Sequence, residues 1–321
     1  MTSYRMSLFY LIELPETVTT GKYRGMLTEK QMKQCYPGIE RLRHPVLPLV
    51  RLVGMLYLTG PFETISSLLN ELNETVKTAG LSYEEPGEIL RNYQEDMLPF
   101  ERLKHPQPGS RIILDEELSG VDSFTAVDSW VAQNILTREL EAINSLLCEP
   151  CGCSLCCIGP SKNLSQDFFE IPLQDREIQF FSLHQEDSNQ SRSSTSNDAK
   201  PLQIKGAPFY SHKKALVHWK SGWSLILPRD SHCPHLDIHK GGCRIYPDRP
   251  EVCRRPQIFP YMLEREPGAD QIIEGKKLPA FITRKKLLAI WDCPYVKQFQ
   301  DEIGRYAVIC ELEPVFKENK M

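Results

Sequence analysis

The chain has 321 residues, of which 41% are hydrophobic and 25% are charged, and it carries a net charge of −4 with a pI of ≈ 6.1. This is the composition of an ordinary soluble globular protein, long enough for one large domain or two smaller ones. It argues against a dedicated nucleic-acid-binding protein, which needs a strong excess of basic residues to neutralise phosphates, so we expect no nucleic-acid partner.

The amino-terminal segment MTSYRMSLFYLIELPE contains a short apolar stretch. It lacks the basic region, the long apolar region and the small-residue cleavage site of a secretory signal. The most apolar window elsewhere, residues 45–58, is too short to span a bilayer and contains Arg51. The cysteine count of eleven is odd, and thiols stay available as ligands in a reducing compartment. We therefore predict a cytoplasmic protein with no membrane partner.

The first 147 residues are predicted to be mostly helical. Thr28 fits the cap of a short helix that runs towards Cys35 and stops at Pro37-Gly38. The apolar window of residues 45–58 is predicted to be a buried helix.

Three further helices are predicted before the first cysteine block. Residues 61–79 place apolar side chains at helical spacing, and Gly80 would end that helix. Pro86 fits the first turn of a helix that runs to about residue 104, where the run HPQPG predicts a turn or linker. A longer helix is predicted from Asp122 or Ser123 to residue 147, and it leads directly into Cys148.

The second half is predicted to contain short strands. Residues 170–173 and 178–183 are candidates, and residues 216–227 predict a strand pair that turns at Ser221-Gly222. Residues 184–200 have almost no apolar side chain, so we expect a disordered surface loop there. A last helix is predicted to start at Pro294.

These elements predict an α+β fold that is predominantly helical. Its expected organisation is a helical amino-terminal region, residues 1–147, followed by a metal-stapled cysteine domain, residues 148–321, with a few short strands.

The cysteines gather in two blocks. The first holds five cysteines in the run CEPCGCSLCC, and the second opens about 75 residues later. Five thiols within ten residues cannot all face one apolar interior, whereas a thiolate array around metal ions accounts for the spacing. The candidate metal ligands are Cys151, Cys153, Cys156, Cys157, Cys233, Cys243, Cys253 and Cys293.

The surroundings of the second block favour thiolates. Residues 229–255 hold six cations and four anions in a chain that is acidic overall. Pro247 and Pro250 stiffen the segment between Cys243 and Cys253, which reduces the entropy lost when the ligands converge. Cys293 directly precedes the predicted helix at Pro294, where the helix dipole favours a thiolate. The cations are Arg229, Lys240, Arg244, Arg249, Arg254 and Arg255.

The cysteine spacing does not determine the identity of the metal. A closed zinc site that only stabilises the fold and an iron–sulfur cluster both suit a thiolate-only ligand set. The cysteines would serve two four-coordinate sites, or one site with the remaining thiols reduced and buried.

Other residues near the cysteines have two interpretations. His232, His235 and His239 could complete a mixed site, but polar surface residues on a glycine-ended loop are the preferred interpretation. Cys310 is predicted to be a small core residue, and Cys35 a free thiol.

The runs CGCSLCC, CPHLD and CRIYPDRPEVCR, with a later CP, resemble a family described as zinc- or iron-chelating and named for its CxxCxxCC motif. The resemblance covers roughly residues 148–295. A strict motif would require a cysteine at Pro150, so either Cys148 or Cys151 takes the place of the first family ligand.

We therefore predict a cytoplasmic metal-binding protein that carries an iron–sulfur cluster or zinc, with a protein partner or substrate of unknown identity. One alternative is an enzyme that resembles the flagellin lysine methylases of this family, or a redox enzyme that uses the cluster. Another is a non-catalytic adaptor in which zinc only stabilises the fold. The chain has no GxGxxG, P-loop or HExxH motif to support the common nucleotide-cofactor and metalloprotease classes.

Overall fold

The computed structural model describes residues 27–105, 111–160, 165–211, 214–239 and 241–317. The amino-terminal apolar stretch, most of the predicted HPQPG turn and Lys240 lie outside these residues. The helices are α1 (Glu29–Arg43), α2 (Leu47–Thr59), α3 (Ile65–Glu71), α4 (Pro86–Arg91), α5 (Gln94–Met97), α6 (Glu101–Lys104), α7 (Ser123–Cys151), α8 (Asn189–Ser193), α9 (Pro294–Gln298) and α10 (Gln300–Ile309). None of these described helices is long and apolar enough to cross a membrane.

The strands of the described ranges form two four-stranded sheets and three short hairpins. In the first sheet, β13 pairs with β10 on one side and with β14 and β3 on the other, and the second sheet has the order β4-β9-β8-β5. The strands are β1 (Val76–Thr78), β2 (Leu81–Tyr83), β3 (Ile112–Leu114), β4 (Phe168–Leu173), β5 (Gln185–Glu186), β6 (Gln203–Ile204), β7 (Ala207–Pro208), β8 (Ala215–Trp219), β9 (Gly222–Pro228), β10 (Ile258–Arg265), β11 (Gln271–Ile273), β12 (Lys276–Leu278), β13 (Ala280–Ile290) and β14 (Glu313–Lys317).

Helix α7 is the centre of the main core. Its 29 residues pack against α1 on one side and against β10 on the other. The same core takes in α2, α9 and α10, so residues from both sides of position 147 share it. The division into two domains stays a prediction. The mixed α+β class is confirmed, with 44% helix and 24% strand, although strands contribute more than a predominantly helical fold implies.

Several predicted helix starts are confirmed. Thr28 caps α1 in a capping box: its hydroxyl accepts from the backbone N–H of Gln31, and the side chain of Gln31 accepts from the backbone N–H of Thr28. Pro86 occupies the first turn of α4. Asp122 caps α7 by accepting a hydrogen bond from the backbone N–H of Thr125. The window of residues 45–58 forms the buried helix α2.

The predicted stop at Pro37-Gly38 is wrong, because α1 continues to Arg43. A Cβ on Gly38 would lie 2.7 Å from the side chain of Leu147, so α1 and α7 approach closely at this point. Ile39 and Leu42 follow on the buried face. Tertiary packing therefore outweighs the hydrogen bond that the proline removes.

The two helices predicted for residues 61–79 and 86–104 are shorter than expected. Helix α3 ends at Glu71, and the chain then forms the hairpin β1–β2, with Ala79 and Gly80 both at positive φ in its turn. The second prediction breaks into α4, α5, a 3₁₀ turn that contains Pro99, and α6.

In the second half, the strand at residues 170–173 is confirmed as part of β4, and the strand pair at residues 216–227 as β8 and β9. Residues 178–183 do not form a strand, because a 3₁₀ helix covers Asp175–Phe180. The prediction that residues 184–200 are disordered is also wrong. This segment contains β5 and α8, and Asp187 pairs with Arg192 and His218, so polar contacts replace apolar ones in ordering it.

The last predicted helix is divided into α9 and α10 at Phe299. It starts at Pro294, as expected, and Cys310 is fully buried directly after its end. This location confirms Cys310 as a small core residue.

Candidate metal centre

The first cysteine block begins inside α7 and continues past its end. Cys148 and Cys151 belong to the last turns of the helix, and Gly152 ends it in the left-handed conformation, with φ +63°. The N–H of Gly152 donates to the carbonyl oxygen of Cys148 at 3.1 Å. A 3₁₀ turn, Leu155–Cys157, then presents the vicinal pair Cys156 and Cys157, with their sulfurs 4.0 Å apart.

The second block meets the first through the backbone. The N–H of Cys233 donates to the carbonyl oxygen of Cys157 at 2.7 Å, and Ile158 bridges His232. Gly159 is needed for this approach, since a Cβ there would lie 2.3 Å from the carbonyl oxygen of Pro228 at the end of β9. The predicted convergence of the two blocks is therefore present.

Three sulfurs form a compact group at the end of α7. The Sγ atoms of Cys151, Cys153 and Cys293 all lie within 4.8 Å of one another. Cys151 and Cys293 are buried, and Cys293 reaches the group as the N-cap residue of α9. Sulfurs bound to one zinc ion at about 2.3 Å are about 3.8 Å apart, so the spacing suits a single ion. We call these residues the sulfur triad.

The surroundings of Cys151 favour its thiolate. The neighbouring thiols of Cys153 and Cys293 lower the pKa of Cys151, while burial acts in the opposite direction. The backbone N–H groups of Cys153 and Tyr295 lower this pKa further. Gln31 fixes the helix end from outside by donating to the carbonyl oxygens of Pro150 and Cys151 at 2.8 and 3.3 Å. A metal ion at this position would bind a sulfur whose anionic form is favoured and whose position is fixed by the helix end.

A cavity of ≈ 280 Å³ lies beside the triad, and seven cysteines line it. Three apolar side chains, those of Ile171, Phe181 and Leu225, also line it. All seven cysteines are partly exposed, unlike Cys151 and Cys293. We call this cavity the sulfur chamber, and its cysteines are Cys148, Cys153, Cys156, Cys157, Cys233, Cys243 and Cys253.

Burial disfavours negative charge on several chamber thiols, whereas the thiol of Cys157 lowers the pKa of its neighbour Cys156. Burial raises the pKa of Cys253 well above its usual value, and the neighbouring sulfurs of Cys156, Cys233 and Cys243 raise it further. Burial also raises the pKa of Cys233 and Cys243. The backbone N–H groups of His235 and Ile245 lower these pKa values by a smaller amount. Crowded thiols with N–H groups aimed at their sulfurs suit thiolates that a cation would neutralise. This donor set fits zinc or iron.

The arginines that surround the second cysteine block make different contacts. Arg229 pairs with Asp167, and Arg255 pairs with Glu141 and Glu251. Arg244 is an exposed part of the chamber wall, whereas Arg249 is buried beside the chamber. The remaining described member, Arg254, donates to the carbonyl oxygens of Arg249 and Pro247.

The histidines contribute less than the thiols. His235 lines the chamber, but its Nε2 lies 2.8 Å from the carbonyl oxygen of Phe180. The backbone N–H of His239 donates to Asp237, and burial lowers the pKa of His232. The compact three-ligand group that occurs in the described part of the chain contains cysteine alone.

Two features could not be read from the cysteine spacing. Cys148 lies on the chamber wall, although Cys151 was the preferred ligand of the two. Cys35 is fully buried against α7, with its sulfur 4.0 Å from the carbonyl oxygen of Leu147. Burial raises the pKa of Cys35 to about 11, and the charge of Cys151 makes a smaller contribution in the same direction. The apolar repeat Cys35, Ile39 and Leu42 was the available signal that α1 turns this thiol inward.

Comparison with known proteins gives one family. Residues 147–277 match the model of the family CxxCxxCC, whose description is "Putative zinc- or iron-chelating domain". The matched segment includes all seven chamber cysteines and excludes Cys293. Searches of curated proteins and of solved structures returned no match. The resemblance noted from the motifs is thus confirmed for less than half of the chain.

Proposed function

Because a family of zinc- or iron-chelating domains includes the segment that builds the chamber, we propose that the chain is a metal-binding protein with two adjoining thiolate sites. The sulfur triad would hold a single ion, and the chamber would hold a second metal group. The observation that carries the proposal is that seven cysteines from two separate blocks of the sequence line one cavity. The cytoplasm, where thiols stay reduced, is the compartment that suits it.

The sulfur spacing favours different groups at the two sites. Triad sulfurs within 4.8 Å of one another suit one tetrahedral ion such as zinc, with a fourth ligand still to be supplied. Elsewhere among the described residues, no three ligand atoms meet at that spacing, although seven cysteines surround ≈ 280 Å³. More widely spaced thiolates around a larger space suit a group of several atoms. We therefore assign an iron–sulfur cluster to the chamber and zinc to the triad.

Bound iron and sulfide would supply one-electron chemistry, and zinc would supply a rigid junction. The protein's own part is to bring the sulfurs together, to lower the pKa of Cys233 and Cys243 through nearby backbone N–H groups, and to line the chamber with the apolar side chains of Ile171, Phe181 and Leu225. Hydrogen bonds to sulfur and solvent access are the terms by which a protein tunes such a group.

The full chain purified without oxygen tests the proposal. We expect iron, acid-labile sulfide and zinc in the same preparation, with visible absorption that is lost in air. Zinc without iron would overturn the cluster assignment but leave metal binding intact. A folded, colourless protein without either metal would refute the proposed function.

An adaptor with a structural zinc site is the second candidate, and the position of the triad favours it. Cys151 ends α7 and Cys293 begins α9, so an ion between them would fasten the carboxyl-terminal helices to the central helix. In this case Cys293→Ser should lower the melting temperature while iron in the chamber stays bound. Loss of both metals from this variant would show instead that the two sites depend on each other.

A further inference from the structure

Arg249 is a cation buried beside the chamber. Its residue is 7% exposed, and it lines the chamber between Cys243 and Cys253 in the chain. The guanidinium lies over the ring of Tyr246, 3.8 Å from the ring centroid. This position removes most of the water that would otherwise solvate the charge.

Within the described part of the chain, the acceptors that bind this guanidinium are neutral. Nε donates to the carbonyl oxygen of Cys253 at 3.1 Å, Nη1 donates to that of Tyr246 at 3.0 Å, and Nη2 donates to the hydroxyl of Ser145 at 2.7 Å. No ion pair among the described residues includes Arg249. A buried cation without a counterion is costly, so its partner must be sought elsewhere.

Two kinds of group on the chamber wall could balance this charge: the carboxylates of Glu149 and Asp237, and the seven cysteine sulfurs. Neither carboxylate forms an ion pair with Arg249 within the described residues. Four thiolates around a zinc ion, or around a cluster core of charge +2, leave a net charge of roughly −2. A metal-loaded chamber would therefore be an anionic group whose wall includes Arg249.

We infer that Arg249 is the buried counterion of the metal-loaded chamber, and that its positive charge, rather than its hydrogen-bonding shape, holds the metal group in place. This inference rests on the proposed function. Arg244 lies on the same wall but is exposed, so water and salt screen its charge. The two arginines thus provide a matched pair that differs in burial.

The test compares the rate at which metal leaves the chain in excess chelator, without oxygen and at one pH. The proteins are the native chain, Arg249→Gln, Arg249→Lys and Arg244→Gln. Removing a buried unit charge from beside an anionic site should speed metal loss roughly tenfold or more. Arg249→Lys, which keeps the charge but loses the planar fork, should stay within about threefold of the native rate, as should Arg244→Gln.

Three results would overturn the inference. These are an unchanged rate in Arg249→Gln, equal acceleration in Arg249→Lys and Arg249→Gln, and equal acceleration in Arg244→Gln. If Arg249→Gln does not fold, the comparison of Arg249→Lys with the native chain still decides, because rapid loss from a variant that keeps the charge contradicts the role. A native chain that holds no metal would instead refute the proposed function.

Discussion

The backbone N–H of Cys233 donates to the carbonyl oxygen of Cys157 at 2.7 Å, which joins the two cysteine blocks directly. The N–H of Gly159 extends the junction by donating to the carbonyl oxygen of Ser231 at 2.8 Å. These backbone hydrogen bonds hold two segments that are distant in sequence in register. We expect the proposed metal site to depend on this junction as well as on its sulfurs.

Gly159→Ala should break the junction. Its new Cβ would lie 2.3 Å from the carbonyl oxygen of Pro228, and a backbone atom cannot rotate away as a side chain can. We expect a loss of stability of about 1–3 kcal/mol and a lower metal content. Denaturant unfolding and metal analysis of the purified variant would measure both.

Gly304→Ala is the matched control, because it adds the same methyl group in α10 with no atom within 4 Å. Alanine is the better helix former, so this variant should gain about 0.5–1 kcal/mol and keep its metal. Normal stability and metal content in Gly159→Ala would show that the junction is dispensable.

Cysteine substitutions should separate ligands from core thiols. Cys253→Ser removes a chamber sulfur, and we expect the chamber metal to fall to less than half of the native content because a serine hydroxyl is a poor substitute for a thiolate. Cys310→Ala removes a thiol that is fully buried in the core, away from the chamber. This variant should lose about 1–2 kcal/mol of stability with its metal unchanged.

Metal counts on both variants, normalised to folded protein, make the comparison. Equal metal content in Cys253→Ser and the native chain would remove Cys253 from the ligand set. Metal loss in Cys310→Ala would show that the count reports general stability rather than ligation.

The sequence was most informative where a local pattern was sufficient. The apolar repeat and the capping residue Asp122 predicted the start of α7, and the cysteine spacing predicted a thiol-rich metal site. Helix α1 was predicted too short, because its passage through Pro37 depends on the close approach of Gly38 to α7. Local propensity contains no information about that contact.

The grouping of the sulfurs was not predictable from spacing. Cys293 joins Cys151 and Cys153 only because β13 pairs with β10 and delivers the chain to the start of α9. Likewise, six cations flank the second block in sequence, but burial distinguishes Arg249 from the exposed Arg244. Both outcomes depend on long-range packing.

Asn144 should be among the most sensitive polar residues of the core. Its Nδ2 donates to the carbonyl oxygens of Arg255 and Ile258, and its Oδ1 accepts from the N–H groups of Gln257 and Ile258 and from the hydroxyl of Tyr295. Asn144→Leu would leave several buried groups without partners, at about 1–3 kcal/mol each, so we expect a total loss above about 3 kcal/mol.

Tyr295→Phe provides the graded comparison for Asn144→Leu. It removes a single hydroxyl, which donates to Asn144 and accepts from Gln257, and should cost about 1–2 kcal/mol. Urea unfolding of both variants gives the two values. Equal losses would mean that the asparagine acts only through the tyrosine.

Glu139 should make the stability of the chain depend on pH. Its carboxyl group is buried in the main core, where Oε1 accepts from the N–H of Val46 at 2.9 Å and Oε2 accepts from the hydroxyl of Tyr306 at 2.6 Å. Burial raises the pKa of Glu139 to about 7, and these hydrogen bonds offset the effect only in part. In the unfolded chain the pKa of glutamate is about 4.3.

The folded chain therefore holds a proton that the unfolded chain has lost between about pH 4.3 and pH 7. The contribution of Glu139 is fully present below this window, and it falls as the pH rises through it, by about 4 kcal/mol in total. Glu139→Gln keeps an acceptor for Val46 but cannot ionise. The difference in unfolding free energy, variant minus native, should thus increase between pH 4.5 and pH 7.5 and then level off. A difference that stays constant over this range in urea titrations would show that Glu139 keeps the same protonation state in the folded and unfolded chains.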